Sequence, residues 1–261
     1  MSDRVSIIIP TFNRAGMLSR AIDSSLSQSV PSEVIVVEHG STDETPAVAA
    51  RYGDRISYVR RDRDFGPHFC WLDGVHHSSG DLVHLQFDDD WLKPQFLEKC
   101  LSVMTVETGF AFSAAEVKTD PESPPSMVLF EKWAKSTGTY PVKTFERRML
   151  RTVVSPGACL FRRQTLIDAL YQGNLPLSTN HYHGVGPDVF MSLLSMLRYP
   201  MIGFVKEPLS AFLSHEGSIT IDAQKDDKKA NDIKAAYKEA RRFYRELRML
   251  KRWRAIRGMV S

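Results

Sequence analysis

The chain has 261 residues, 43% of them hydrophobic, enough to bury a core in one substantial domain with an appendage, which excludes a disordered protein. Its net charge of +3 is unevenly divided: from Lys225 onward thirteen Lys/Arg stand against five Asp/Glu, an excess of +8, so the preceding residues carry −5. An acidic body argues against a nucleic-acid partner, because such a domain displays its basic patch on the fold itself.

The N-terminal apolar run Val5-Ser6-Ile7-Ile8-Ile9 is too short for a signal-peptide core, and no later stretch approaches a membrane span. Cys70, Cys100 and Cys159 are widely spaced, without a CxxC or Cys/His cluster, which argues against a disulfide framework or a zinc site and for a reducing compartment. A cytoplasmic protein is expected.

Taken in order, the chain alternates between short β-branched runs and helical periods, the sign of an α/β domain with a mostly parallel sheet. Strands are expected at Val5 to Pro10, Glu33 to Val37, Ile56 to Arg60 and Leu82 to Phe87. Between the first two, Met17 to Ser27 sets Leu18, Ala21, Ile22, Ser25 and Leu26 on one helical face. Ser41-Thr42-Asp43-Glu44 offers a cap-like start for a helix running to Arg51, and Pro67 to Ser79 forms a third helix that Gly80 stops. Beyond Trp91, Gln95 to Thr105 reads as helix and Phe110 to Val117 as strand. The prolines from Asp120 to Pro125 mark a loop, and the stretch from there to Val154 is expected to be rich in loops. Ser155 to Arg163 reads as a turn leading into a short strand, and Pro187 to Arg198 as a helix opened by Pro187 and Asp188. From about Lys225 a long helix runs without Pro or Gly until Gly258.

In parallel α/β sheets ligands bind outside the carboxyl ends of the strands. Those ends carry Thr11, Asn13 and Arg14, then Glu38 and His39, then Asp62 to Asp64, then Asp88-Asp89-Asp90. Three adjacent carboxylates closing a buried strand repel one another, and a cation offsets the repulsion; a solvated acidic turn is the bland alternative. Pro10-Thr11-Phe12-Asn13-Arg14 stands where a dinucleotide-binding enzyme carries G-x-G-x-x-G, which disfavours hydride chemistry.

The segments Ser6 to Arg14, Val36-Val37-Glu38-His39-Gly40-Ser41-Thr42-Asp43-Glu44-Thr45, and Gly80-Asp81 with Asp88-Asp89-Asp90 following, together resemble glycosyltransferase family 2 of the GT-A fold. The likeness continues through Gly157 to Arg163, Gly186-Pro187-Asp188 and His215-Glu216-Gly217-Ser218-Ile219-Thr220, covering roughly Val5 to Ile221. The interval from Gly80 to Asp88-Asp89 and on to Pro94 is similar to that of the spore-coat polysaccharide transferase type of the family. The resemblance implies an α/β GT-A domain over residues 1–221, with a nucleotide-binding half (1–94) and an acceptor half (95–221), followed by a basic amphipathic helical extension (222–261).

It further implies inverting transfer of a sugar from a nucleotide-diphosphate sugar to a hydroxyl acceptor, with a Mn or Mg ion stabilising the diphosphate leaving group. Asp89 is the first metal ligand expected, Asp88 reaches the metal or the ribose, Asp90 is a third candidate, and His215 is a ligand, a phosphate contact or a structural histidine. A general base must take the acceptor proton, and Asp188 occupies that place, with a helix-dipole role as its structural alternative. Pro10, Thr11, Asn13, Arg14, Glu38, His39 and Asp88 are expected around the nucleotide, UDP or dTDP ahead of GDP.

Two departures stand out. The family's second strand ends in two acids, one accepting from a pyrimidine imide N–H; here Glu38 and His39 are both able to accept it. Trp71-Leu72 replace the Arg-Asn of many relatives, leaving Arg61, Arg63 or His68 to supply a cation. The expected acceptor is a glycan or lipid-linked glycan of bacterial surface polysaccharide or glycoconjugate synthesis, selected by loops at Glu116 to Thr152 and Gly173 to Gly186. A catalytically decayed sugar-nucleotide-binding scaffold is a competing reading. A sugar-phosphate nucleotidyltransferase is another, disfavoured because Pro10 to Met17 contains no lysine.

In the tail, Ala236, Ala240, Phe243, Leu247, Leu250, Trp253 and Ile256 recur at three- and four-residue steps among eight Arg and Lys residues from Arg241 to Arg257. Such a helix suits an anionic membrane surface at the inner face, or docks its stripe on the catalytic domain or a partner subunit.

Overall fold

A computed structural model describes residues 4–171, 186–215, 218 and 226–258. The chain opens with β1 (Val5–Thr11), α1 (Ala15–Leu26), β2 (Glu33–His39), α2 (Thr45–Ala50), β3 (Ser57–Arg61), α3 (Pro67–His77) and β4 (Leu82–Leu85). These four strands pair in parallel in the order β3-β2-β1-β4. Because β1 is buried on both faces, its centre, Ile7-Ile8-Ile9, is apolar without polar alternation. Ile7 and Ile9 pack with Leu18 and Ile22 of α1, whereas Ile8 packs with Trp71 and Val75 of α3. The edge strand β3 carries Arg60 and Arg61 on a largely exposed strand, which protects it from adding a further chain.

The rest of the chain adds β5 (Trp91–Leu92), α4 (Phe96–Ser102), β6 (Thr108–Lys118), β7 (Met127–Leu129), β8 (Gly138–Pro141), α5 (Val142–Met149), β9 (Cys159–Arg162), α6 (Arg163–Tyr171), α7 (Pro187–Arg198), β10 (Met201–Leu213) and α8 (Asp227–Ile256). Among the described residues ten strands form one sheet, continuing from β4 through β9, β6, β10 and β5. The long strands β6 and β10 run parallel, and each serves two antiparallel neighbours along its length: β9 then β7 on β6, and β8 then β5 on β10. Register shifts on either side of Pro208 let β10 carry a proline.

Several elements differ from the sequence-based expectation. The stretch expected to be loop-rich contains β7, β8 and α5, because Phe112, Phe130, Trp133, Tyr140, Phe145 and Phe204 gather into one aromatic cluster that no local period announces. Neither α6 nor β10 was expected. Helix α2 starts at Thr45 instead of Ser41, since Ser41 to Asp43 bind the neighbouring loop, and α4 is shorter than Gln95 to Thr105. Helix α7 has the expected bounds. In α8, capped by the Asp226 carboxylate accepting from the Lys228 and Lys229 amides, Ala236, Ala240 and Tyr244 are buried, chiefly against α7.

Gly80 lies where the exit of α3 meets β1: a Cβ there would sit 2.6 Å from Ser6 Oγ and 2.7 Å from Ser6 N. Close backbone approach therefore accounts for the motif glycine. No helix among the described residues is long and apolar enough to cross a membrane.

Candidate active site

Two loops at the carboxyl ends of β1 and β2 are laced together by motif side chains. The Asn13 amide donates to Ser41 Oγ at 3.0 Å, the Thr42 amide to Asn13 Oδ1 at 2.8 Å, the Arg14 amide to Thr45 Oγ1 at 2.9 Å and the Ala15 amide to Asp43 Oδ2 at 3.2 Å. Asn13 adopts φ of 51°, a left-handed conformation that asparagine tolerates. At Gly40, φ is 75° and a Cβ would fall 2.6 Å from the Arg63 carbonyl carbon, so only glycine fits between this loop and the one that follows β3. Pro10 and Thr11 are buried in β1 beside them.

Adjacent strand residues face opposite sides of a sheet, and that separates Glu38 from His39. Glu38 is fully buried; it accepts from the Ser41 amide and from the Tyr58 hydroxyl at 3.0 Å, and pairs with Arg60 at 3.0 Å. Burial, with the Glu38 carboxylate adding to it, pushes the Tyr58 hydroxyl up to about 12. Both Glu38 oxygens are thus engaged by the protein. His39 Nε2 lies 3.3 Å from Asp73 Oδ2, while His39 Nδ1 is buried without a hydrogen-bond partner. The Arg61 guanidinium, donating to both Asp73 oxygens at 2.8 and 2.7 Å, holds that carboxyl below the usual carboxylate range. Asp73 accepts from the Nε2–H of His39, and in the tautomer protonated there alone Nδ1 is left as an acceptor. His39 and Asp73 line a cavity of about 230 Å3 with Phe65, Phe69 and Leu72.

The expected replacement cations sit on that side as well: Arg61 is committed to Asp73, and the Arg63 guanidinium lies 4.6 Å from the centre of the Phe65 ring. His68 is half-buried, and burial lowers its affinity for a proton. Trp71 is a core residue, its ring 5.9 Å from Phe87.

The acid triplet divides three ways. Asp88 Oδ1 lies 4.0 Å from Arg14 Nε; burial pushes its carboxyl up to about 7, with the Asp89 charge adding to the shift. Asp90 turns inward, its Oδ1 accepting from the Leu213 amide at 2.9 Å, and burial followed by the Asp89 charge raises it well above the carboxylate range. Asp89, its side chain 20% exposed against 14% for Asp88, has Oδ2 3.1 Å from Nε2 of His215 just past β10. Arg20 was not foreseen: its Nη2 donates to the Asp89 carbonyl at 2.9 Å and its guanidinium lies 4.6 Å from the centre of the Trp91 ring. Nothing in the sequence shows that α1 approaches Trp91.

Among the described residues no three His, Cys, Asp or Glu side chains form a metal-holding group by themselves. The donor chemistry nevertheless fits a hard divalent ion, which takes one or two carboxylates and completes its shell with substrate phosphates. Asp89 supplies a partly exposed carboxylate with His215 beside it, and the raised values of Asp88 and Asp90, due first to burial, include a repulsion from the Asp89 charge that a cation relieves. Glu216, Gly217, Ile219 and Thr220, with residues 173–185, lie outside the described residues.

Asp188 stands at the start of α7. Its Oδ1 accepts from the Gly186 and Val189 amides at 2.8 and 2.7 Å, and its Oδ2 accepts from the Tyr237 hydroxyl at 2.9 Å. Desolvation pushes its carboxyl up to about 6. Tyr237, with the Arg241 guanidinium 5.6 Å from its ring centre, comes from α8, forty-nine positions along the chain; no spacing in the sequence links it to Asp188.

A family model described as Glycosyl transferase family 2 matches residues 6–170. A protein of Rickettsia prowazekii named as an uncharacterized glycosyltransferase is 36% identical over 104 residues, 40% of this chain and 32% of that protein. An uncharacterized protein of Mycobacterium bovis is 25% identical over 211 residues, 75% of this chain and 58% of its own length. The match thus spans about a third of the first relative and little more than half of the second. Among solved structures, S. aureus TarS in complex with UDP-GlcNAc superposes with a TM-score of 0.63 at 18% identity, covering 82% of this chain and 60% of that one. Glucosyl-3-phosphoglycerate synthase from Mycobacterium tuberculosis, in complex with Mn2+, UDP and glucosyl-3-phosphoglycerate, gives 0.58 at 17% identity, covering 91% and 80%. The mannosyltransferase PcManGT from Pyrobaculum calidifontis, in complex with GDP-Man and Mn2+, gives 0.58 at 17%, covering 86% and 61%.

Proposed function

The chain belongs to glycosyl transferase family 2 and has the GT-A fold, and on that premise we propose that it is an inverting, divalent-metal-dependent transferase moving a sugar from a nucleoside-diphosphate sugar to a hydroxyl acceptor. The observation that carries this reading is the meeting of the β4 and β10 ends, where accessible Asp89 stands against His215 with Asp88 and Arg14 alongside. Asp89, with His215 and Asp88, would hold a Mn or Mg ion, which when bound would supply positive charge against the departing diphosphate. Asp90 braces the acidic turn against β10. Arg14 presents its guanidinium at the same rim. Asp188 takes the acceptor proton as the hydroxyl attacks the anomeric carbon opposite the nucleotide, a single displacement that inverts configuration. The acceptor is a glycan or lipid-linked glycan of a bacterial surface polysaccharide or glycoconjugate, and the setting is cytoplasmic.

We place the nucleobase in the cavity beside His39. Because Glu38 is engaged by Ser41, Tyr58 and Arg60, the available acceptor is His39 Nδ1, which calls for a base with a ring N–H. Uracil and thymine place carbonyl acceptors on both sides of that N–H, within the range of chemistry offered by Arg61 on the cavity wall; guanine supplies one, and cytosine has no ring N–H at this position. Thermal unfolding with UDP, dTDP, GDP and CMP, each with and without Mn2+, tests this, since a ligand of the folded state raises Tm in proportion to its affinity. The expected result is a Mn-dependent rise with UDP or dTDP, a smaller one with GDP and none with CMP. No rise with any diphosphate would favour a decayed scaffold, and a preference for CMP would remove His39 from base recognition.

A further inference from the structure

We propose that the second half of α8 is a docking surface for an anionic lipid bilayer, an inference independent of the chemistry at Asp89. The first half of the helix is occupied: Ala236, Ala240 and Tyr244 are buried, and Phe243 and Leu247 pack against the core. The Tyr244 hydroxyl donates to Glu146 at 2.6 Å, Arg248 pairs with Glu146, and Lys251 donates to the Leu197 carbonyl. From Lys251 to Gly258 every residue is exposed. Continuing the packed stripe by helical steps leads to Lys251, Arg254 and Ala255, so the packed face turns basic where the body ends. The remaining apolar residues lie elsewhere on the helix. Met249, Trp253 and Ile256 recur at i, i+4 and i+7 with Leu250 beside them, on the side away from the packed stripe. They are 63%, 45% and 86% exposed. The sequence pattern had joined Leu250, Trp253 and Ile256 to the packed stripe; the structure separates them.

Charge selects the occupant. Between Arg245 and Arg257 there are six basic residues and one acid, Glu246, a net +5 on this part of the helix, where Arg245, Arg252, Arg254 and Arg257 are exposed. The Arg257 guanidinium lies 4.2 Å from the centre of the Trp253 ring. A second copy of the chain would bring the same positive surface and be repelled. Four side chains also fall far short of the roughly 1,600 Å2 buried in a standard protein interface. An anionic bilayer satisfies both halves of the surface: headgroups attract the arginines, and Trp with its apolar neighbours enters the acyl boundary. The residues before Lys225, at −5, are repelled by the same membrane, which orients the protein tail-first.

The test is co-sedimentation of the purified chain with phosphatidylglycerol/phosphatidylcholine vesicles and with pure phosphatidylcholine vesicles, at low and high salt. Binding to the anionic vesicles is expected to exceed that to neutral ones by roughly tenfold or more and to weaken with salt. The triple variant Met249→Ser, Trp253→Ser, Ile256→Ser should lose at least tenfold of that binding with an unchanged Tm, since these side chains are exposed. Equal binding of variant and parent, or no preference for anionic vesicles, overturns the proposal. So does a concentration-dependent dimer that the triple variant dissolves in the absence of vesicle binding, which would assign the surface to a second copy.

Discussion

Asp89→Ala is expected to lower glycosyl transfer by about 10^3-fold or more, the scale of losing the group that anchors a catalytic cation. The three acids are not equivalent in this respect. Asp90 is turned onto the Leu213 amide, and Asp88 is held at about 7 by burial and by Asp89 itself, so Asp89 is the most exposed carboxylate of the set. Removing it takes the Asp89 carboxylate away from His215, and nucleoside diphosphate affinity should lose its dependence on Mn2+. The fold should not suffer, because the Asp89 charge raises both Asp88 and Asp90 and its removal relieves that repulsion. Lost transfer with an unchanged or higher Tm is therefore the expected pattern, as at sites where function is held at the expense of stability. Retained Mn2+ dependence with a lowered Tm would make Asp89 a structural residue.

Asp188→Asn is expected to cut transfer on the order of 100-fold or more while leaving donor affinity nearly unchanged. Asparagine keeps an oxygen for the Gly186 and Val189 amides, and its amide nitrogen has the Tyr237 hydroxyl to donate to, so the start of α7 is preserved. A base works only when deprotonated, and Asp188 stands at about 6, so the parent's transfer rate should rise as pH passes through about 6 and level off above it. The variant should lack that limb. Stability moves the other way. The folded value lies above the unfolded value of about 3.9, so the stability tied to the protonated carboxyl is complete below about pH 4 and is lost as pH rises through about 6. The variant should then be at least as stable as the parent at pH 8. Normal turnover of Asp188→Asn would take Asp188 out of the mechanism.

The parts of the fold that were legible in the sequence are those stabilised locally or buried on both faces. The unbroken Ile7-Ile8-Ile9 and Val34 to Val37 runs disclose central parallel strands, and Pro187 with Asp188 marks the first turn of α7. β7, β8 and β10 were not legible, since their stability comes from partners far along the chain and from aromatic residues such as Phe112 and Phe204 that meet only in the folded state. At the rim, position was readable and assignment was not. Glu38 and His39 are both able to accept a base N–H, and only the alternation of the strand, placing Tyr58 and Arg60 on Glu38 and Asp73 on His39, separates an acid with both oxygens engaged from a histidine whose Nδ1 has no protein partner. Arg20 reaches Asp89, and Tyr237 with Arg241 reaches Asp188, through helix packing, which leaves no mark in the spacing of motifs.

Turnover of a nucleoside-diphosphate sugar by the purified chain should depend on a divalent ion held at Asp89. The direct measurement is release of nucleoside diphosphate from UDP-, dTDP- and GDP-sugars without acceptor, with Mn2+ and then with EDTA, for the parent and Asp89→Ala. Slow release in Mn2+ from one donor, lost in EDTA and in the variant, is the predicted result. Release that persists in EDTA would contradict metal dependence, and no release from any donor would leave a binding protein in place of an enzyme.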